Sequence, residues 1–291
     1  MLSYLLVSGV STGMLYSLVA VGLVLVFRST GHINFAHGEL FMAGGFFAYT
    51  GHVMLGWPYA PALVGAVVGG FALGVVIDRI VYRPLIDAPG LNIVLATVGL
   101  SFFLKGAGRW AWGGQGDYVS FPPVVSPVPF SVLGIMVIPQ QVLVSAGAIV
   151  CMVLLTLFFR FTTAGKAMRA TAENQRAAYL VGVRVERVYL FTWAFGAALA
   201  AVAGCLMAPL TLLSPDVGFP LLLKAFAATV LGGLGSVTGA IAGGLAVGIT
   251  ESLAGGYIGP SVQDVSAFVV IMIVLVLRPY GIFGEHAPRE A

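Results

Sequence analysis

The chain has 291 residues, of which 59% are hydrophobic and only 9% charged, with a formal net charge of +3. Together with a mean hydropathy of +1.02, this excludes an ordinary soluble domain, in which about a quarter of residues are charged. The class that remains is an all-α polytopic membrane protein. The net positive charge points to no nucleic acid, because the basic residues cluster between apolar runs, as orientation signals do, and the partner of most of the surface is lipid.

Uncharged runs such as Leu2 to Phe27 and Gln141 to Phe159 reach the ~20 residues needed to cross about 30 Å of hydrocarbon. At that spacing the chain has room for about eight to ten transmembrane or discontinuous helices, forming a single membrane domain over 1–291. The N-terminus carries no basic n-region or small-residue cleavage site, so Leu2 onward reads as the first span, closed by Arg28. Gly9, Ser11, Thr12 and Gly13 suit either close helix approach or a break in that span.

The next stretch carries Asn34, His37 and Glu39 directly into an apolar run. Leu40 to Ile77 is too long for one helix, and Gly51, Gly56, Pro58 and Pro61 divide it near Trp57 and Tyr59. Gly65-xxx-Gly69 and Gly70-xxx-Gly74 are small-residue patterns for helix packing. A polar loop from Asp78 to Asp87 follows, then a span from Leu91 to about Trp112. At its end Lys105 and Arg109 can snorkel beside Trp110 and Trp112. Residues 113–139, rich in proline, read as an ordered extended loop or short hairpin.

Gln141 to Phe159 delivers the chain to a basic break at 160–187. Arg160, Lys166, Arg169, Arg176, Arg184 and Arg187 gather here, six of the fourteen lysines and arginines. Val188 to Leu213 is the next span. Leu221 to Thr250 would make about 45 Å of helix, so it divides into two shorter helices at Gly232-Gly233-Leu234-Gly235-Ser236. Ile258 to Leu277 is the last span, ended by Arg278-Pro279. Cys151 and Cys205 lie within apolar runs, as small buried hydrophobes do.

If the basic break is cytoplasmic, 78–90 is also inside, the 113–139 loop is external, and the basic residues satisfy the positive-inside rule. Lys105 and Arg109 go against it. Dividing 221–250 into two crossings, or a re-entrant pair, brings Arg278 inside, and the N-terminus comes out external.

Three stretches carry functional candidates. Within the basic break, Thr171 is a possible N-cap, Glu173 and Asn174 suit a first turn, and Gly182 stops the helix. Ala177, Ala178 and Val181 give this helix a small apolar face, opposite Arg169 and Arg176. The same residues also fit a plain loop that sets topology. Asn34, His37 and Glu39 either line a pathway or hold a helix start; His37-Gly38-Glu39 has no cysteine partners that would make it a metal site. The glycine turn Gly232, Gly233, Gly235 and Ser236 lacks the lysine and strand of a phosphate loop. Helix packing at a break explains it, and freed amides there could face a carboxylate.

GKAMRATAENQRAAYLVGVRVERV, at 165–188, resembles the cytoplasmic coupling segment of permeases in ATP-binding-cassette importers, most closely the branched-chain amino acid permeases. INFAHGELFMAGGFFAY at 33–49 and KAFAATVLGGLGSVTGAIAGGLAVGITES at 224–252 resemble the same family's other marked stretches. The resemblance runs through nearly the whole chain and is closest to the H-type permease subunit. The general importer pattern, Glu-Ala-Ala then three residues then Gly, matches Arg176 to Gly182 with Arg in place of Glu. Either Arg176 or Glu173 is then the main polar contact to the ATPase.

The resemblance implies a permease subunit of the bacterial cytoplasmic (inner) membrane that imports branched-chain, hydrophobic amino acids. It has no enzymatic activity and no cofactor of its own, and two cytoplasmic ATP-binding subunits supply ATP hydrolysis. It also implies a second related permease, forming a heterodimer, and an external substrate-binding protein. The coupling segment would comprise Glu173, Asn174, Arg176, Ala177, Ala178 and Gly182. Cargo of urea or short amides fits a neighbouring branch. From another class, an ion-coupled secondary transporter or channel would need ionisable groups within its spans; only Glu39, Glu251 and Asp264 qualify, all near span ends.

Overall fold

A computed structural model describes residues 1–113, 118–126, 128–132, 134–278 and 281–283. The apolar runs form helices throughout, because a backbone without water must bond within its own segment. In chain order these are α1 (Leu2–Thr30), α2 (His37–Tyr49), α3 (Tyr59–Ile77), α4 (Gly90–Trp112), α5 (Pro139–Phe161), α6 (Thr163–Glu173), α7 (Gln175–Leu180), α8 (Val185–Met207), α9 (Gly218–Gly232), α10 (Val237–Tyr257) and α11 (Pro260–Leu277). Among the described residues, seven helical runs are long and apolar enough to cross a membrane. The short α2, extended by a π turn over Thr50–Met54, and the short α9 complete the bundle. The chain is a multi-pass, all-α membrane protein.

α1 is a single unbroken helix of 29 residues, ended by Gly31 at φ 74° with its N–H donated to the Phe27 carbonyl. Its small residues serve close approach rather than a break. A Cβ on Gly13 would strike the backbone of Leu245, and one on Gly248 would strike that of Gly13, so α1 and α10 touch backbone to backbone. In α3, Gly70 and Gly74 face α8, whereas Gly65 and Gly69 meet the rings of Trp57 and Phe47.

Burial sorts the helices. The apolar windows of α1 and α8 are each 78% buried, against 22% for α4, 17% for α5 and 6% for α11. α1, α2, α8, α9 and α10 therefore form the interior. The poorly buried helices present apolar side chains outward, as a lipid-facing or subunit-facing surface does.

Two boundary expectations are corrected. The polar loop from Asp78 is helical: α3 runs on through a π turn, Asp78–Tyr82, and a 3-10 turn, Arg83–Leu85. Asp78 is tolerated there because it is buried against the Arg83 guanidinium at 3.4 Å. Lys105 and Arg109 do not simply snorkel beside the tryptophans, since both reach Asp216, in the connection between α8 and α9. Trp112 stacks on Phe46 at 4.9 Å and donates to Thr50, and Trp110 is left 89% exposed.

The 113–139 region contains an antiparallel hairpin, β1 (Phe130–Val132) and β2 (Ile135–Val137). A bridge between Val119 and Leu213 ties this region to the α8–α9 connection. Positions 114–117, 127 and 133 of that expected loop, and 279 of the expected last stop, lie outside the described residues. The ends of α1 and α5, the α6–α7 region and the start of α10 share one face, where Arg28, Arg160 and Arg169 line a common cavity with Val237 and Thr238. Ile282 and Phe283 return to this face and donate their N–H groups to the carbonyls of Leu231 and Gly232 at the end of α9.

Candidate functional site

The basic break folds as two helices rather than one. Thr162 is extended, and its Oγ1 accepts the Gly165 N–H at 2.9 Å, which starts α6. Asn174 is extended as well, and its Oδ1 accepts the Ala177 N–H at 2.9 Å, which starts α7. The expected cap at Thr171 is thus corrected: Thr171 lies inside α6 and donates its hydroxyl to the Ala167 carbonyl. Asn174, a stronger capping residue, takes that role three positions later. Glu173 ends α6 instead of opening the next helix.

Gly182 does stop α7. It sits at φ +87°, in the left-handed region, and its N–H is donated to the Tyr179 carbonyl. Of the expected apolar face only Ala178 is buried, while Ala177 and Val181 point outward. With Tyr179 at 70%, Leu180 at 77% and Val181 at 80% exposure, the end of α7 presents an apolar tip, of which sequence reasoning named only Val181. The signal was available as three consecutive large apolar residues lying between Arg176 and Arg184. Glu173, Asn174 and Arg176 are exposed around this tip.

A second constellation surrounds the start of α2. The Asn34 Oδ1 accepts the Ala36 N–H at 2.9 Å and so shapes the entry to the helix. His37 and Glu39 are both fully buried; the Val19 backbone lies near the imidazole and the Ser101 hydroxyl near the carboxylate, but among the described residues neither group makes a well-formed hydrogen bond. Buried polar groups are nearly always paired, so these two stand out. Of the three residues, only Asn34 makes a side-chain hydrogen bond, and it shapes the turn before α2 rather than capping the helix.

Gly38 and Gly218 meet backbone to backbone, so the short helices α2 and α9 begin side by side within the apolar interior. Beside this junction is a cavity of about 290 Å³, lined by Phe35, Val98, Ser101, Phe102, Lys105 and Phe219. Interrupted helices whose starts meet inside a membrane domain are a common way to build a transport site.

The glycine turn is helix packing first. Gly232 and Gly239 leave no room for a Cβ against each other, and Gly243 is as close to Ala228. Gly235 has nothing within 4 Å and takes no part in that packing. Gly233, at φ +101°, donates its N–H back to Thr229 and Val230, and Ser236 caps α10 through the Gly239 N–H at 3.0 Å. The amides of Gly233 and Ser236 are therefore already used within the turn.

Two of the acids available for ion coupling share a single cation. Lys224 donates to Glu251 at 2.6 Å and to Asp264 at 2.8 Å, and Tyr16 donates to the other Glu251 oxygen at 2.7 Å. This network, buried at Glu251 and exposed at Asp264, joins α1, α9, α10 and α11, and sequence reasoning missed the pairing because its members are far apart in the chain.

The sequence model of one family, described as branched-chain amino acid transport system / permease component, matches residues 5–277. The chain belongs to that family.

A branched-chain amino acid permease relative, the high-affinity branched-chain amino acid transport system permease protein LivH of Escherichia coli, is 35% identical, covering 96% of this chain and 94% of the relative. The permease protein BraD of Pseudomonas aeruginosa is 34% identical, covering 96% and 95%. The probable permease LivH of Methanocaldococcus jannaschii is 30% identical over 92% and 88%. The solved structure of PsaBC from Streptococcus pneumoniae in complex with Fab has the same overall fold, with a TM-score of 0.51 at 15% identity, covering 94% of this chain and 91% of that one.

Proposed function

We propose that this chain is the membrane-spanning permease subunit of an ATP-binding-cassette importer that carries branched-chain, hydrophobic amino acids into the cell. Residues 1–291 form one permease domain, with the basic face toward the cytoplasm and the 113–139 region outside. Two cytoplasmic ATP-binding subunits supply the hydrolysis, and one docks on the elbow formed by Glu173, Asn174, Arg176, Ala177, Ala178 and Gly182. A second, related permease forms the other half of the pore, and an external binding protein delivers the amino acid.

The observation that carries this reading is the capped elbow between α6 and α7. Its exposed Tyr179-Leu180-Val181 tip is an apolar surface on an otherwise basic face, and it is joined to α5 through Thr162 and to α8 through Gly182. A push on α7 is thereby transmitted to two spans. Residues Asn34, His37, Glu39, Gly232, Gly233, Gly235 and Ser236 belong to the pathway or to the helix breaks beside it.

Co-purification with the ATP-binding subunits tests the docking. Leu180→Glu places a charge on the tip without touching the caps, so the subunit is expected in the membrane at normal abundance and without bound ATPase. Retention of the ATPase at the wild-type ratio by Leu180→Glu would show that the tip is not the docking surface.

A further inference from the structure

Lys105 and Arg109 are basic residues at the end of α4 where the positive-inside rule does not want them, and both reach Asp216. Two basic side chains share the Asp216 carboxylate, and the buried Glu39 lies close to Lys105 and Ser101. Lys105 is the half of this group that turns inward: its side chain is 18% exposed, its Nζ lies 3.5 Å from Asp216 and 5.6 Å from the centre of the Phe219 ring, and it lines the 290 Å³ cavity at the α2–α9 junction. The rest of that lining is one hydroxyl, Ser101, and the apolar side chains of Phe35, Val98, Phe102 and Phe219, of which Phe102 and Phe219 are exposed, so the cavity opens on the outward face of α4.

A zwitterion with an apolar side chain matches this set. We propose that Lys105, Arg109 and Asp216, with the cavity beside them, form a resting site on the transport path for a single hydrophobic α-amino acid. The α-carboxylate takes Lys105 and Arg109, the α-ammonium takes Asp216, and the side chain enters the cavity. Each protein ion pair is exchanged for an equivalent one to the substrate, so the charges remain compensated as the amino acid arrives and leaves. The cavity is at the small end of ligand pockets, which run from roughly 300 to 1,000 Å³, and so suits one amino acid and not a peptide. The starts of α2 and α9 add partial positive charge beside it, on the side where a carboxylate is favoured. A neutral amide such as urea makes poor use of three charges and four apolar walls. The site thus rests on the importer reading and refines its cargo.

The test uses the complete transporter reconstituted in vesicles with its binding protein, measuring leucine uptake and binding-protein-stimulated ATP hydrolysis in parallel. Lys105→Gln and Asp216→Asn are expected to lower uptake at least tenfold while stimulated hydrolysis persists, and Lys105→Arg to restore most of the uptake. Val98→Phe fills the cavity without touching the charges and is expected to reduce leucine uptake more than alanine uptake. It decides the matter where a charge variant does not assemble. Wild-type kinetics in Val98→Phe, or in both charge variants, would overturn the site while leaving the importer intact. Absence of ATP-dependent uptake in the unmodified complex would instead overturn the importer reading itself.

Discussion

The side chain of Asn174 accepts the backbone N–H of Ala177 at 2.9 Å, and this one bond fixes where α6 ends and α7 begins. An N-cap of this kind is worth about 1 kcal/mol, more than a six-residue helix holds by its own propensity. Asn174→Ala is therefore expected to leave insertion and abundance unchanged but lower ATP-dependent uptake several-fold, with Asn174→Asp restoring it. Equal uptake by the alanine variant would mean that the elbow does not transmit force.

At the other end of the same helix, Gly182 holds a left-handed φ and donates its N–H. Proline can do neither. Gly182→Pro should give a protein that inserts normally and transports nothing, which quantitative blotting beside an uptake assay would resolve.

Lys224 compensates two carboxylates, of which Glu251 is almost completely buried. Removing the cation alone leaves a buried charge uncompensated, at a cost of about 3–5 kcal/mol. Lys224→Met should lower the thermal midpoint of the purified protein markedly, and adding Glu251→Gln should recover much of the loss. Equal midpoints for the single and double variants would sink the pairing as a stabilising element.

Glu39 is fully buried, and neither of its carboxylate oxygens is bonded to any described residue. Glu39→Gln keeps the shape and removes the ionisable group, so little stability is at stake. A transport defect of tenfold or more at normal abundance is expected from a pathway residue; wild-type uptake would return Glu39 to a purely local role at the helix start.

The membrane orientation is tested by single cysteines at Ser126 and Thr163 in a background lacking Cys151 and Cys205. An impermeant thiol reagent applied outside should label the first and spare the second. Labelling of both from one side would reverse the assignment of the faces.

Much of this fold was legible because lipid imposes one rule on every segment. Run length located α4, α5 and α11 to within a few residues, and the glycines at 232–236 located the division between α9 and α10. Legibility failed where tertiary contact overrode local pattern. Asp78 reads as the start of a loop, but Arg83 one turn on neutralises it and the helix continues. Thr171 reads as a cap, but its hydroxyl finds a carbonyl within its own helix. The pairings of Lys105 with Asp216 and of Lys224 with Glu251 join helices far apart in sequence, and no periodicity within one segment can announce them. At the candidate site, the types of residue were visible and their grouping was not.

The contact between Tyr16 and Glu251 joins residues 235 positions apart, and it sits on the seam where α1 and α10 touch. Ribosomes add about 5–20 residues per second, so roughly 10–50 s separate the birth of the two partners. During that interval α1 has entered the bilayer without the surface it was shaped to meet, and its serines, tyrosine hydroxyl and narrow glycine groove face lipid. The first helix made is thus among the last to find its place. Defects in α10 are expected to surface as premature degradation of nascent chains whose first half is entirely normal.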